Sequence, residues 1–207
     1  WTVTSGSATV ANTAAASTTA SVTASATVQA NFTIVIPTIV RSASEVSVPE
    51  GGTATFQVKL SSPPASSTVV TVSRTAGDSD VTVTGGSSLT FTTANWGTYQ
   101  TVTLSAAQDA DAANGAATVT CSASGLTSVN VAATEADDET TLTVTAGAGG
   151  TVSPSGATVV TKGAATGITA TPSAGYVFAN WTVTGGSATI ANAAAASTTA
   201  AITAPAT

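Results

Sequence analysis

The sequence contains no histidine and no methionine, one cysteine, and only four basic side chains in 207 residues. Each absence removes a kind of chemistry. Without His there is no imidazole general base, no Ser-His triad and no His-ligated zinc. A single Cys makes neither an intrachain disulfide nor a Cys-rich metal cluster. Four Lys and Arg against a formal net charge of -6 argue against nucleic acid as a partner, because binding it needs several cations on phosphates. Long apolar runs are missing as well. The longest stretch, Phe32 to Val40, is interrupted by Thr33, Pro37 and Thr38 and falls far short of the roughly 20 residues of a spanning helix. Neither a membrane span nor a signal peptide is legible. What is present is 43% hydrophobic and dominated by Ala, Thr, Ser, Val and Gly, with 7% charged residues, against about 25% in an ordinary soluble domain. This is the composition of a structural or binding protein rather than an enzyme.

The few charges are concentrated. All ten Asp and Glu fall between Glu45 and Glu139, with Arg41, Lys59 and Arg74 among them, and the rest of the chain holds only Lys162. So abrupt a shift predicts domain boundaries near Arg41 and Glu139. The expected organisation is a first segment over 1–36, a linker over 37–40 containing Pro37, an acidic domain over 41–139, and a nearly neutral one over 140–207.

An internal repeat links the first and last segments. Residues 1–27, WTVTSGSATVANTAAASTTASVTASAT, recur as residues 181–207, WTVTGGSATIANAAAASTTAAITAPAT, identical at 21 of 27 positions at a constant offset of 180 without a gap. A match that includes Trp, Asn and the Gly-Ser-Ala-Thr turn is a repeat and not shared composition. The chain is thus expected to begin and end inside the same kind of domain. Residues beyond Thr207 should resemble Val28 to Thr33, and residues ahead of Trp1 should resemble Leu142 to Asn180. Two arrangements fit: a window on a tandem array, or subunits that each lend an N-terminal segment to complete a neighbour. Both are linear and head-to-tail.

Alternation of apolar and polar residues predicts strands almost throughout. In Thr53-Ala54-Thr55-Phe56-Gln57-Val58-Lys59-Leu60 the even positions are apolar, the period of a half-buried strand. The pattern returns in Val70/Val72, Val81/Val83, Leu89/Phe91, Val102/Leu104, Val119/Cys121/Ala123 and Val129/Val131/Ala133, which places Cys121 on the buried face. About seven short antiparallel strands in about 100 residues suggest an Ig-like sandwich. Thr supplies the outward faces without charge.

Val48-Pro49-Glu50-Gly51-Gly52 leading into Phe56 to Ser61, Leu89-Thr90-Phe91-Thr92 with Trp96, and Val102-Thr103-Leu104 leading into Asp109-Ala110-Asp111 together resemble a Calx-beta-type module over roughly 44–139. The resemblance implies a sandwich with calcium bound where acidic loops meet at one end. It carries over Glu50, Asp109, Asp111 and the run Glu135 to Glu139, with Glu50, Asp109, Asp111, Glu135, Asp137 and Asp138 as the expected metal ligands. Ala110 separates two acids that are consecutive in that family. Independently, a hard divalent cation takes six to eight oxygens, and ten carboxylates against three bases leave a surplus that a cation would neutralise. The alternative is that these acids are solvated loop residues that keep a neutral chain soluble.

The last segment reads differently. Gly147 to Gly156, Ile168 to Pro172, and then Gly175-Tyr176-Val177-Phe178-Ala179-Asn180-Trp181, matched by Ala30-Asn31-Phe32 on the other period, are similar to the divergent internalin-type B-repeat. That family consists of small, β-rich, grasp-like units strung along bacterial surface proteins. The implied fold class is all-β: an Ig-like sandwich plus a small β-grasp-like B-repeat domain split across the chain ends. In this reading Trp1, Trp181, Tyr176 and Phe178 are core, while Trp96 and Tyr99 are the better carbohydrate candidates. Asp78 and Asp80 as a glycosidase pair, Lys59 and Lys162 as cross-linking groups, and Asn31 and Asn180 as glycosylation sites all have weak local support. The expectation is an extracellular bacterial stalk or filament, self-associating through uncharged, Thr-rich edge strands. The alternative is an accessory module that binds surface glycans.

Overall fold

The computed structural model describes residues 1–202, which form strands, turns and irregular segments without a helix. The last five residues of the 27-residue repeat, 203–207, lie outside the described residues. The chain divides into two compact units, Trp1–Ile36 and Pro37–Thr207.

The first unit is a single antiparallel hairpin. Strand β1 (Thr2–Val10) pairs with β2 (Ala20–Gln29), Thr2 opposite Gln29 and Val10 opposite Ala20. The Asn12 side chain organises the connection: its Oδ1 accepts from the amides of Ala14 at 3.0 Å and Ala15 at 3.2 Å, the local bonding that makes Asn a turn residue. The Trp1 indole donates to the Ala15 carbonyl at 2.8 Å.

The second unit opens with nine strands: β3 (Ile39–Arg41), β4 (Glu45–Pro49), β5 (Thr53–Leu60), β6 (Thr68–Gly77), β7 (Thr82–Gly85), β8 (Ser88–Phe91), β9 (Gln100–Ser105), β10 (Ala116–Ser122) and β11 (Val129–Ala136). They form a sandwich of two sheets, β3-β5-β9-β7 and β4-β11-β10-β6-β8. The alternating residues face each other across it. Phe56, Val58, Leu60, Val70, Val72, Leu89, Phe91, Val102, Leu104, Val119, Cys121 and Val131 are all buried in one core, which is how inward faces of stacked sheets fill the space between them. The Cys121 thiol is pushed up to about 11, by burial first.

Three details differ from expectation. The sandwich has nine strands where about seven were expected, because β3 has three residues and β4, although Val46 and Val48 alternate, has five, each too short to stand out by its period. The pair β4–β11 is parallel, with Val48 opposite Glu135, where an all-antiparallel arrangement was expected. Ile39 and Val40, expected as linker, lie in β3 opposite Leu60 and Lys59, and Ile39 is buried. The apolar Ile-Val pair is drawn onto the sheet edge because an open edge bonds any backbone that reaches it.

Beyond the sandwich come β12 (Glu139–Val144), β13 (Gly150–Ser153), β14 (Gly156–Thr161), β15 (Thr166–Pro172), β16 (Ala188–Ile190) and β17 (Ser197–Ile202). Strand β12 pairs with β14, and β13-β15-β17-β16 make a four-stranded antiparallel sheet. Their core is separate and small: Leu142, Val144, Ile168 and Ala200, with Val152, Val160, Trp181, Ile190 and Ile202 packed around it.

Candidate metal centre at the acidic end of the sandwich

Alternation brings the acids to one place. On β4 the inward positions run Val46, Val48 and then Glu50; on β11 and beyond they run Val131, Ala133, Glu135, Asp137 and Glu139. The same period that buries valines therefore buries carboxylates once the strands pass the end of the apolar core. Glu50 and Asp137 are 9% exposed, Glu139 8% and Glu135 1%.

Carboxylate oxygens of Glu50, Asp137, Asp138 and Glu139 all lie within 4.8 Å of one another. Backbone amides, one side-chain amide and the Thr161 hydroxyl, which donates to Glu139 Oε1 at 3.3 Å, hold them. Glu50 Oε1 accepts from the Asp109 amide and Oε2 from the Asp138 amide at 3.2 Å, and Asp137 Oδ1 accepts from the Glu139 amide at 2.6 Å. Gln108 Nε2 donates to Asp138 Oδ1 at 3.0 Å and to Glu139 Oε1 at 3.3 Å. Lys162, on the turn after β14, donates through Nζ to the Asp137 carbonyl and through its amide to the Asp138 carbonyl. Both the sandwich and the β12–β14 pair thus supply groups to this cluster.

Glu135 sits beside it with a different neighbour. A side chain at Gly115 would put its Cβ 1.5 Å from Asp78 Oδ2 and 2.8 Å from Glu135 Oε2, so only glycine leaves room for these two carboxylates. Glu135 Oε1 and Glu139 Oε2 are buried without a hydrogen-bond partner. Buried acceptors of this kind are costly unless something satisfies them. Burial pushes the Glu135 carboxyl up to about 7, with Asp78, Glu50 and Asp109 adding repulsion. Burial also pushes Glu139 to about 7, helped by its hydrogen bonds to Asp138 and Glu50. Asp138 moves the other way, held below its ordinary range chiefly by the Gln108 amide.

Of the six ligands expected from the sequence, Glu50, Asp137 and Asp138 are in the cluster. Glu139, part of the acidic run but outside those six, joins them. Asp109 contributes an amide to Glu50, while its own Oδ1 accepts from the Asp111 amide at 2.8 Å. Asp111 is exposed and accepts from the Ala113 amide at 2.7 Å, outside the cluster. Asp78 was not expected here, having been singled out only with Asp80 as a glycosidase pair; Asp78 Oδ1 accepts from the Asp80 amide at 2.9 Å, a local turn.

The aromatic groups divide between core and surface. Trp96 packs against the sandwich core, and Tyr99 is 38% exposed with the Lys59 ammonium 4.7 Å from its ring centroid. Trp181 packs against the second core and lies 5.7 Å from Phe178. Tyr176, expected in the core, is 57% exposed; it lies against Gly149, where a Cβ would be 2.1 Å from its ring, so it covers backbone and not the sheet interior.

The arrangement is that of an all-β modular protein with an acid-lined junction between two of its modules. Residues 140–207, about a third of the chain, match the family model of the divergent InlB B-repeat domain. That family is typical of bacterial surface proteins. No curated protein matches the sequence.

Proposed function

We propose that the chain is a structural repeat unit of an extracellular stalk or filament on a bacterial surface, with modules joined head to tail and calcium stiffening the junction between them. The role is mechanical and not catalytic. The observation that carries this reading is the repeat: the segment that closes the family-matched module recurs ahead of the sandwich at an offset of 180, so modules of two kinds alternate along the chain. The sandwich is read as a Calx-beta-type module. Glu50, Asp137, Asp138 and Glu139 would supply oxygens to the ion, and the partnerless Glu139 Oε2 is the acceptor it would satisfy. Such an ion would tie Glu50 of the sandwich to the first residue of β12.

Electron microscopy of the concentrated protein, together with calorimetric titration of calcium, tests the reading. Regular linear assemblies, saturable heat on adding calcium, and a lower melting temperature after chelation are expected. Discrete particles at every concentration, with no heat from calcium, would overturn it.

A further inference from the structure

Gly115 is a glycine because two carboxylates need the space. A Cβ there would lie 1.5 Å from Asp78 Oδ2 and 2.8 Å from Glu135 Oε2, and the Gly115 carbonyl accepts from the Glu135 amide at 2.9 Å. The residue ahead of it is Asn114. Of the seven asparagines in the chain, Asn114 alone precedes a glycine; Thr, Phe, Trp, Val or Ala follows the others. Asn114 lies at the end of the irregular segment between β9 and β10 and is exposed. The packing that fixes Gly115 therefore also fixes an accessible Asn-Gly pair at the acidic end of the sandwich.

The two ends of the Asn114 side chain differ. Its Oδ1 accepts from the Asp137 amide at 3.0 Å, while Nδ2 makes no hydrogen bond among the described residues. The donor on Oδ1 draws electron density from Cγ and stabilises the negative charge that gathers on Oδ1 when a nucleophile adds. That nucleophile is the next atom group in the chain. The Gly115 nitrogen is free of hydrogen bonds among the described residues, and no side chain shields it. Only the few bonds of one residue separate it from Cγ, the proximity that makes intramolecular attack fast.

From this geometry we propose that Asn114 is a site of intramolecular deamidation, at which a neutral side chain beside the acid cluster becomes a carboxylate. The Gly115 nitrogen loses its proton to water and bonds to Cγ. The Cγ–Nδ2 bond breaks, Nδ2 leaves as ammonia with a proton returned by water, and a succinimide ring closes. Water then opens the ring at either carbonyl. Opening at Cγ leaves an aspartate; opening at the main-chain carbon leaves an isoaspartate, whose backbone runs through the side chain and is one carbon longer. Either product carries a new negative charge next to Asp137, and the second also shifts Gly115 from the gap that Asp78 and Glu135 require. Ammonia is lost to solvent, so the change runs one way and older chains carry a more acidic junction. Like charges gathered there disfavour the compact state. The reaction needs no bound calcium and stands apart from the mechanical reading above.

The test holds the folded full chain in mildly alkaline buffer at physiological temperature and maps its peptides by mass spectrometry over time, the other asparagines serving as internal controls. Asn114 should gain the mass that exchange of NH for O brings about tenfold or more faster than any other asparagine, with ammonia released in equal amount. Asn114→Gln, whose longer side chain closes the ring far more slowly, should abolish that ammonia while keeping a cooperative sandwich transition. Asn114→Asp should melt in chelator about 2–4 °C below freshly prepared wild type, and wild type should drift toward that value as it ages. An Asn114 that stays intact, or that reacts no faster than the other asparagines, overturns the proposal, as does ammonia release that persists in Asn114→Gln. A converted chain that melts as the fresh one does overturns the placement of the new charge at the acid junction.

Discussion

Glu135 places a carboxylate where the strand period puts a valine. It is 1% exposed, faces Asp78, and leaves Oε1 without a partner. Its carboxyl titrates near 7 in the folded chain against an ordinary 4.5. Between those two values the folded state holds a proton that the unfolded state has released, so stability falls as pH rises across that window. Glu139 acts with the same sign over the same window. Asp138, held low by Gln108, costs stability only at more acidic pH, as it protonates. In chelator the protein should therefore melt at a higher temperature at pH 5 than at pH 8. Glu135→Gln should flatten that slope and stabilise the chelated protein at pH 8 by about 1–3 kcal/mol, the cost of an unsatisfied buried group. A variant with the wild-type pH slope would show that the charge is solvated. Much of this was legible: the inward period through Val131 and Ala133 continues into Glu135, Asp137 and Glu139. Asp78 was not, because its approach to Glu135 depends on a loop from a distant strand and on the missing side chain of Gly115, and neither leaves a local pattern.

At the scale of elements, alternation locates strands but carries no partner and no direction. The buried residues of β5, β6, β9 and β10 are those that the two-residue period picks out. The parallel pairing of β4 with β11 could not be read, since a strand's own sequence is the same whichever way its neighbour runs. The hairpin repeat makes the same point from one sequence, strand over Ser197–Ile202 and not over Ser17–Thr19, since tertiary partners override local preference. Close backbone approach at a strand end selects glycine. The β6–β10 register shifts between Thr118 and Val119, and Gly77 opposite Ala117 has φ +83°, with a Cβ there only 2.1 Å from the Ala116 carbonyl oxygen. Gly77→Ala should destabilise the sandwich by about 1–3 kcal/mol, the usual cost of such backbone strain, read as a lower denaturant midpoint at unchanged slope. A wild-type midpoint would show that the strand end relaxes freely.

Across the whole molecule, the second unit contains two apolar cores of very unequal size. The sandwich core holds Phe56, Phe91, Leu60, Leu104 and a set of fully buried valines, while the core of residues 140–202 rests on Leu142, Val144, Ile168 and Ala200. Stability scales with buried apolar area, so the smaller module should unfold first. The two modules report separately, because Trp181 packs on the small core and Trp96 on the large one. What joins them is the run from Glu135 to Val144, where strand β11 of one leads directly into β12 of the other, with Lys162 bonded back to Asp137 and Asp138. In chelator this junction is weakened by the burial that raises Glu135 and Glu139 and, second to it, by repulsion from the neighbouring acids. An ion on Glu50, Asp137, Asp138 and Glu139 would replace that repulsion with shared coordination, and by mass action it would stabilise whichever state holds the ligands together. Calorimetry in chelator should thus resolve two transitions, with the Trp181 environment lost in the first. Calcium should raise the lower transition more than the upper and draw the two together. If calcium instead raises only the upper transition, the ion belongs to the sandwich alone and does not stiffen the junction.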